Sequence, residues 1–195
     1  MLYPHLDADV GFSQLKVYVH RVRRKLGYAQ AILFEAEAYR LAPDVLVDLV
    51  DAEAAVADAV PTRGALAPAS RARLNEIRRR LLARRIIWTD DREWCNALER
   101  RLESLLSDVT WRLGEAALAD GDFAAATRLA AEVCMLDPSD ERAAELAIRA
   151  HLRAGDDLGA RTRFRRYERV LKKEFDMSPS AELAALVTQT ARATA

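Results

Sequence analysis

Hydrophobic positions recur along most of the chain at intervals of three and four, the period of a helix with one buried face. Phe12 to Leu26 (FSQLKVYVHRVRRKL) carries Leu15, Val19, Val22 and Leu26 in one stripe, expected to be buried. Lys16, His20, Arg21, Arg23, Arg24 and Lys25 occupy the remaining faces, and Gly27 fits the position just past the helix end. The segment before it, residues 2–10, contains Pro4 and scattered polar residues and reads as a loop. Ala31 to Leu41 (AILFEAEAYRL) is short and rich in Ile, Leu, Phe and Tyr, which predicts a small β-hairpin without the usual Asn-Gly or Asp-Gly turn. Val47 to Val60 predicts an acidic amphipathic helix; Pro61, Gly64 and Pro68 mark a linker. Ala69 to Arg85 predicts a strongly basic helix with Leu74, Ile77, Leu81 and Leu82 as its apolar stripe. After a break at 86–89, Asp90 and Glu93 form a capping box. A long helix then runs through Trp94, Leu98, Leu102, Leu105, Val109 and Leu113 to about Ala119.

The remainder is a series of helix pairs. Gly121-Asp122 breaks the long run, and a helix opening at Phe123 is closed by Asp137-Pro138. Leu146 to Ala154 is the next helix, Gly155-Asp156 its turn, and Ala160 to Phe175 its partner. Ser178-Pro179 starts a last helix, to about Arg192, with Leu183, Leu186 and Val187 on one face. Two helices joined by a tight Gly turn must pack antiparallel, and small residues at Gly114, Ala117 and Ala126 let their axes approach closely.

Composition narrows the class. With 51% hydrophobic residues among 195, and only seven Gly and six Pro, the chain is mainly α and large enough for a real core. Net charge is zero, but the charge lies in blocks. Residues 61–86 hold eight basic against one acidic residue, and residues 87–140 hold five against twelve. Such blocks are solvated helix faces, or a nucleic-acid surface beside an acidic partner surface. Cys95 and Cys134 stand far apart with no Cys-x-x-Cys, which reads as two buried thiols in a reducing compartment. No apolar run reaches the length of a membrane span and no signal peptide is visible, so the expectation is a soluble cytoplasmic protein. His5, His20 and His151 are scattered, and no phosphate-cradling loop, His-Glu-x-x-His or Gly-x-Ser-x-Gly occurs. No enzyme, catalytic residue, metal site or cofactor is expected.

Four stretches carry a family resemblance. WRLGEAALADGDFAAATRLAAEVCMLDP (111–138) resembles a tetratricopeptide repeat, a unit of about 34 residues that stacks with its neighbours. LKVYVHRVRRKLG resembles the recognition helix of an OmpR-type winged helix, and Tyr39-Arg40-Leu41 the strand closing its wing, with Ala38 in place of the usual Gly. RYERVLKKEFDMSPSAEL resembles the last turn of a bacterial transcriptional activator domain, with Phe175-Asp176-Met177 in place of Leu-Gly-Val. Together, in this order, they resemble that activator domain fused to a winged helix, as in the antibiotic regulatory protein family of actinomycetes. The resemblance implies a partial winged helix with one small β-hairpin over residues 1–45. Over 46–195 it implies a mainly α domain of tetratricopeptide-like antiparallel helical repeats. An OmpR-type domain begins with a small sheet and two helices before its recognition helix, so the expectation is a fragment or truncated member of a longer regulator.

The resemblance implies sites as well. Gln14, Lys16, Val17, His20, Arg21 and Arg24 would face the major groove or its phosphates, with Arg40 beside the wing; the alternative is a solvated basic face. Inward repeat positions give a partner groove of Asp108, Trp111, Glu115 and Leu118 from one unit and Arg142, Glu145, Arg149 and Arg153 from the next. There Trp111 is either a contact for a partner or part of the core. Implied partners are double-stranded DNA, RNA polymerase or another protein, and a second copy in a homodimer; no membrane is implied. The runner-up function is a peptide-binding or signalling repeat module with no DNA binding of its own. The Arg-rich helix at 71–85 is either a second DNA contact or a surface facing the acidic helix at 47–60.

Overall fold

The computed structural model describes residues 7–45, 48–59, 65–83 and 93–193. Among them are eight helices and one two-stranded antiparallel hairpin, in two compact units, Met1–Val50 and Asp51–Ala195. The expected residues 2–6, the break at 86–89 and the capping box of Asp90 lie outside the described residues, as do the side chains of Trp94 and Cys95.

In the first unit, α1 spans Ala8–Leu26 and ends at Gly27, which adopts the left-handed conformation. It starts a turn earlier than the hydrophobic stripe predicts. A first turn needs no buried residue, and Asp9 suits the positive end of the helix dipole. The hairpin follows as β1, Ile32–Glu35, and β2, Ala38–Leu41, in a register that sets Phe34 opposite Tyr39 and Glu35 opposite Ala38. Ala36 and Glu37 form the turn, both with positive φ (49° and 61°). That is the conformation a two-residue hairpin needs to match strand twist, and one that costs a non-glycine residue roughly 1–2 kcal/mol. The positive φ is needed at 36 and 37, so Ala38, already in the strand, stands where no glycine is required. Phe12 of α1 closes on the cross-strand pair: ring centroids are 5.8 Å from Phe34 and 6.2 Å from Tyr39, and Phe34 and Tyr39 are 4.9 Å apart. The Arg23 guanidinium donates to the Ile32 carbonyl, with Nε at 3.1 Å. These contacts fix the helix to the hairpin.

The expected stripe of α1 is only partly buried. Val19 is 7% exposed and Leu15 half-buried, but Val22 and Leu26 are 43% and 57% exposed. The tie runs through Phe12 and Arg23, so apolar spacing alone overstated how much of the helix has a neighbour in this unit.

In the second unit, α2 (Asp48–Asp58, crossing from the first unit) buries Ala52, Ala55 and Val56. α3 (Pro68–Ala83) starts with its proline at the first helical position, where the missing N–H is harmless, and buries Leu74 and Ile77. Leu82, expected in that stripe, is 55% exposed. α4 (Glu93–Ala119) is the longest helix and buries Leu102, Leu105, Val109 and Leu113. Then come α5 (Phe123–Leu136), α6 (Glu141–Arg153), α7 (Asp157–Phe175) and α8 (Ala181–Ala193).

Caps set these boundaries. Gly121 and Gly155 take φ of 82° and 74°, which an L side chain rarely adopts, and each turns the chain sharply between helices. Asp122 then caps α5 by accepting from the Ala125 N–H, and Asp156 caps α7 by accepting from the Gly159 N–H. Asp140 accepts from the Arg142 and Ala143 N–H groups, so α6 begins at Glu141, five residues ahead of the first expected apolar position. The Ser180 hydroxyl oxygen accepts from the Leu183 N–H, moving the start of α8 past Ser178-Pro179.

From α3 onward each helix packs on the next, and two buried clusters stand out among the described residues. Ala117, Leu118, Ala126, Ala130, Leu146, Ala147 and Ala150 join α4, α5 and α6. Ala144, Ile148, Ala160, Tyr167, Leu171 and Leu183 join α6, α7 and α8. α6 belongs to both, which is why its buried residues lie on two sides. Gly114 permits a close approach: a Cβ there would meet Leu146 Cδ2 at 2.6 Å and Leu129 Cβ at 3.4 Å. No helix among the described residues is long and apolar enough to cross a membrane.

Candidate nucleic-acid interface and partner groove

On α1, Gln14, Val17, Arg21 and Arg24 follow one another at steps of three and four and share a face. That face lies away from the one on which Phe12 and Val19 sit. Gln14, Lys16, Val17, His20, Arg21 and Arg24 are all exposed, Val17 by 51%, and so is Arg40 on β2. Two of the cations rest on rings: Lys16 Nζ is 4.6 Å from the Phe12 centroid, and the Arg21 guanidinium carbon is 5.8 Å from that of Tyr18. Arg40 forms an ion pair with Glu35 beside the turn. Arg23 is held by the Ile32 carbonyl. Tyr28 donates to Asp44 at 2.6 Å, and that hydrogen bond raises its hydroxyl above the ordinary value.

The second unit brings the predicted groove residues of α4 and α6 together. Asp108 and Arg142 pair at 3.0 Å, and Glu115 and Arg149 at 2.8 Å. Both pairs join residues 34 positions apart, one repeat length. Glu145 stands 3.7 Å from Arg149. The Arg142 guanidinium lies 5.4 Å from the Trp111 ring centroid. Trp111 is half-buried against the first core, and its indole N–H has no hydrogen-bond partner among the described residues. Leu118 is part of that core, 8% exposed, and Arg153 is exposed. Asp140 holds Arg142 firmly protonated, chiefly through their hydrogen bond. Beside this face, Arg112 donates to the Ala59 carbonyl at 2.8 Å; burial lowers its pKa below the ordinary value.

The Arg-rich α3 spends its charge within its own unit. Arg73 pairs with Asp51 of α2 at 2.7 Å, Arg71 with Asp120, and Arg78 with Glu132. Arg79 and Arg80 both reach Glu76. Of these pairs, Arg73–Asp51 is the contact with the acidic helix. Neighbouring Glu53 pairs with Arg101, which holds its carboxyl below the usual range.

Several of these relationships left little trace in the sequence. The Phe12–Phe34–Tyr39 cluster showed only as two aromatics placed symmetrically about the hairpin turn. The clasp of Arg23 on Ile32 had no signal. Cys134, expected buried, is half-buried; burial pushes its thiol up. Among the described residues no cluster of His, Cys, Asp or Glu is arranged to hold a metal.

A series of helix pairs joined by Gly-Asp turns defines an α-helical repeat domain. Residues 47–189 match the model of the bacterial transcriptional activator domain, and the chain belongs to that family. The family is one of regulatory domains. No curated protein and no solved structure matches the chain.

Proposed function

We propose that this protein is a bacterial transcription regulator that binds promoter DNA through α1 and the hairpin and acts in the cytoplasm. The single observation that carries the reading is the free face of α1. Gln14, Lys16, Val17, His20, Arg21 and Arg24 are exposed together on a helix whose other side is tied to a hairpin bearing exposed Arg40. A basic helix of this kind fits the major groove, where Arg and Gln reach base edges and Lys and Arg reach phosphates. The hairpin would act as the wing on the adjacent backbone. By contrast, the arginines of α3 are matched by carboxylates of their own unit.

The helical-repeat domain would then hold a protein partner, RNA polymerase or a second copy of the chain, on the face of Asp108, Trp111, Arg142, Glu145 and Arg149, with buried Glu115 holding Arg149 in place. The partly exposed Trp111 ring, with the Arg142 guanidinium 5.4 Å from its centroid, supports a partner docking there. The test is binding of the full chain to duplex DNA across a salt series. Affinity falling with salt, less steeply after Arg21→Ala or Arg24→Ala, supports the reading. No binding at low salt refutes it, and leaves the repeat domain as a protein-binding module alone.

A further inference from the structure

α5, α6 and α7 border a partly open pocket of about 70 Å3 that neither DNA binding nor the partner face uses. Its apolar lining includes Ala144 and Ala147 of α6 and Val170 of α7. Both alanines are buried, and their short side chains leave the space between the helices unfilled. Cys134 of α5 borders the cavity, as do Arg163 and Arg166 of α7.

These two arginines differ from six others of the same unit, which are paired. Arg73, Arg142 and Arg149 each have a carboxylate, at 2.7, 3.0 and 2.8 Å. Arg71, Arg78 and Arg101 are paired as well. Arg163 and Arg166 have neither an ion pair nor a hydrogen bond among the described residues. Tyr167, between α6 and α7, is already committed: its hydroxyl faces the Ser139 carbonyl at 3.2 Å and Glu141 at 3.3 Å.

We propose that this cavity binds a small carboxylate with a short aliphatic tail, its tail against Ala144, Ala147 and Val170 and its carboxylate on Arg163 and Arg166. Two neighbouring guanidiniums that make no ion pair favour a carboxylate through charge-assisted hydrogen bonds. The apolar lining gives no partner to a fully polar anion, but rewards buried CH2 groups at about 0.8 kcal/mol each. The volume is about half of the roughly 150 Å3 that admits a benzene ring, so the tail is one of a few carbons. Butyrate has both parts. Inorganic phosphate has the charge without the tail, and 1-butanol the tail without the charge.

Cys134 provides the reporter. In the full chain, its alkylation by iodoacetamide is followed by site-resolved mass spectrometry, which separates it from Cys95. Butyrate at about ten times its dissociation constant is expected to slow Cys134 alkylation about tenfold, because the bound fraction is closed to the reagent. Phosphate or 1-butanol, at equal concentration and ionic strength, should leave the rate unchanged. The Arg163→Gln/Arg166→Gln chain should lose the protection while keeping the wild-type melting temperature. Should that chain fail to fold, calorimetric titration of the wild type decides: butyrate heat without phosphate heat supports the site, and its absence overturns it. The proposal is also overturned if butyrate gives no protection at saturating concentration, if phosphate or 1-butanol protects equally, or if the folded double variant remains protected.

Discussion

The Arg149 guanidinium of α6 donates to the Glu115 carboxylate of α4 at 2.8 Å, and the two residues are one repeat apart. The partners are not equally placed. The Glu115 side chain is 7% exposed, whereas that of Arg149 is 22% exposed and has Glu145 3.7 Å away. Removing one partner of a buried pair is costly in proportion to how buried the remaining charge is. Arg149→Met should therefore cost about 3 kcal/mol of unfolding free energy, because it strands the buried carboxylate. Glu115→Gln, which keeps shape and an acceptor, should cost about 1 kcal/mol. Urea midpoints of the two variants check this; equal small losses would mean that water reaches Glu115.

Gly114 tests the seam between α4 and α6. A Cβ there would sit 2.6 Å from the Cδ2 of Leu146, a side chain with no exposure in which to retreat. Gly114→Ala gains helix propensity of about 1 kcal/mol, yet overpacking costs about 1–3 kcal/mol. A net loss of stability is expected in thermal unfolding, partly recovered by adding Leu146→Val. A gain from Gly114→Ala alone would show that the seam has slack.

The hairpin turn is strained at two residues that lack a glycine's freedom. Ala36→Asn with Glu37→Gly places the favoured type I′ pair where φ is 49° and 61°. Hydrogen-exchange protection of the β1–β2 amides should rise by about 1–2 kcal/mol, the left-handed cost removed. Unchanged protection would indicate that the aromatic cluster, and not the turn, limits opening.

Asp156 links pH to the turn between α6 and α7. It accepts from the Gly159 N–H at 2.8 Å and faces His151 Nδ1 at 2.8 Å. The backbone hydrogen bond first, and His151 second, hold its carboxyl below 3.8. A depressed native value means a contribution that is complete above 3.8 and lost as pH falls through the lower native value. Asp156→Asn keeps an acceptor at the cap but cannot titrate. The two proteins should differ in urea midpoint near neutrality and converge below pH 3.8. A constant difference across that range would show that the charge contributes nothing.

The helical domain was largely legible in the sequence because its punctuation is local. Gly121-Asp122 and Gly155-Asp156 combine the left-handed turn with the cap in adjacent residues, apolar spacing marked the inward face of α4, and the small Ala126 marked that of α5. What failed needed tertiary knowledge. Val22 and Leu26 repeat at core spacing yet are exposed, because periodicity reports a face without reporting a neighbour. Asp140 and Ser180 act as caps through their oxygens, so the starts of α6 and α8 moved away from the first apolar residues. The groove residues could be listed from repeat positions, but that Asp108 and Glu115 neutralise Arg142 and Arg149 depends on two helices meeting. The cavity beside Cys134 had no sequence signal, since a void arises from what Ala144 and Ala147 lack.

The most direct measurement is fluorescence anisotropy of the full chain on a short mixed-sequence DNA duplex, over a series of salt concentrations. If α1 and the hairpin grip the phosphates, the logarithm of the binding constant falls linearly with the logarithm of salt, with a slope of about −0.9 for each phosphate contacted. Arg21→Ala and Arg24→Ala should each flatten that slope by about 1. No binding at the lowest salt, or a slope that neither substitution changes, would contradict DNA recognition by this helix.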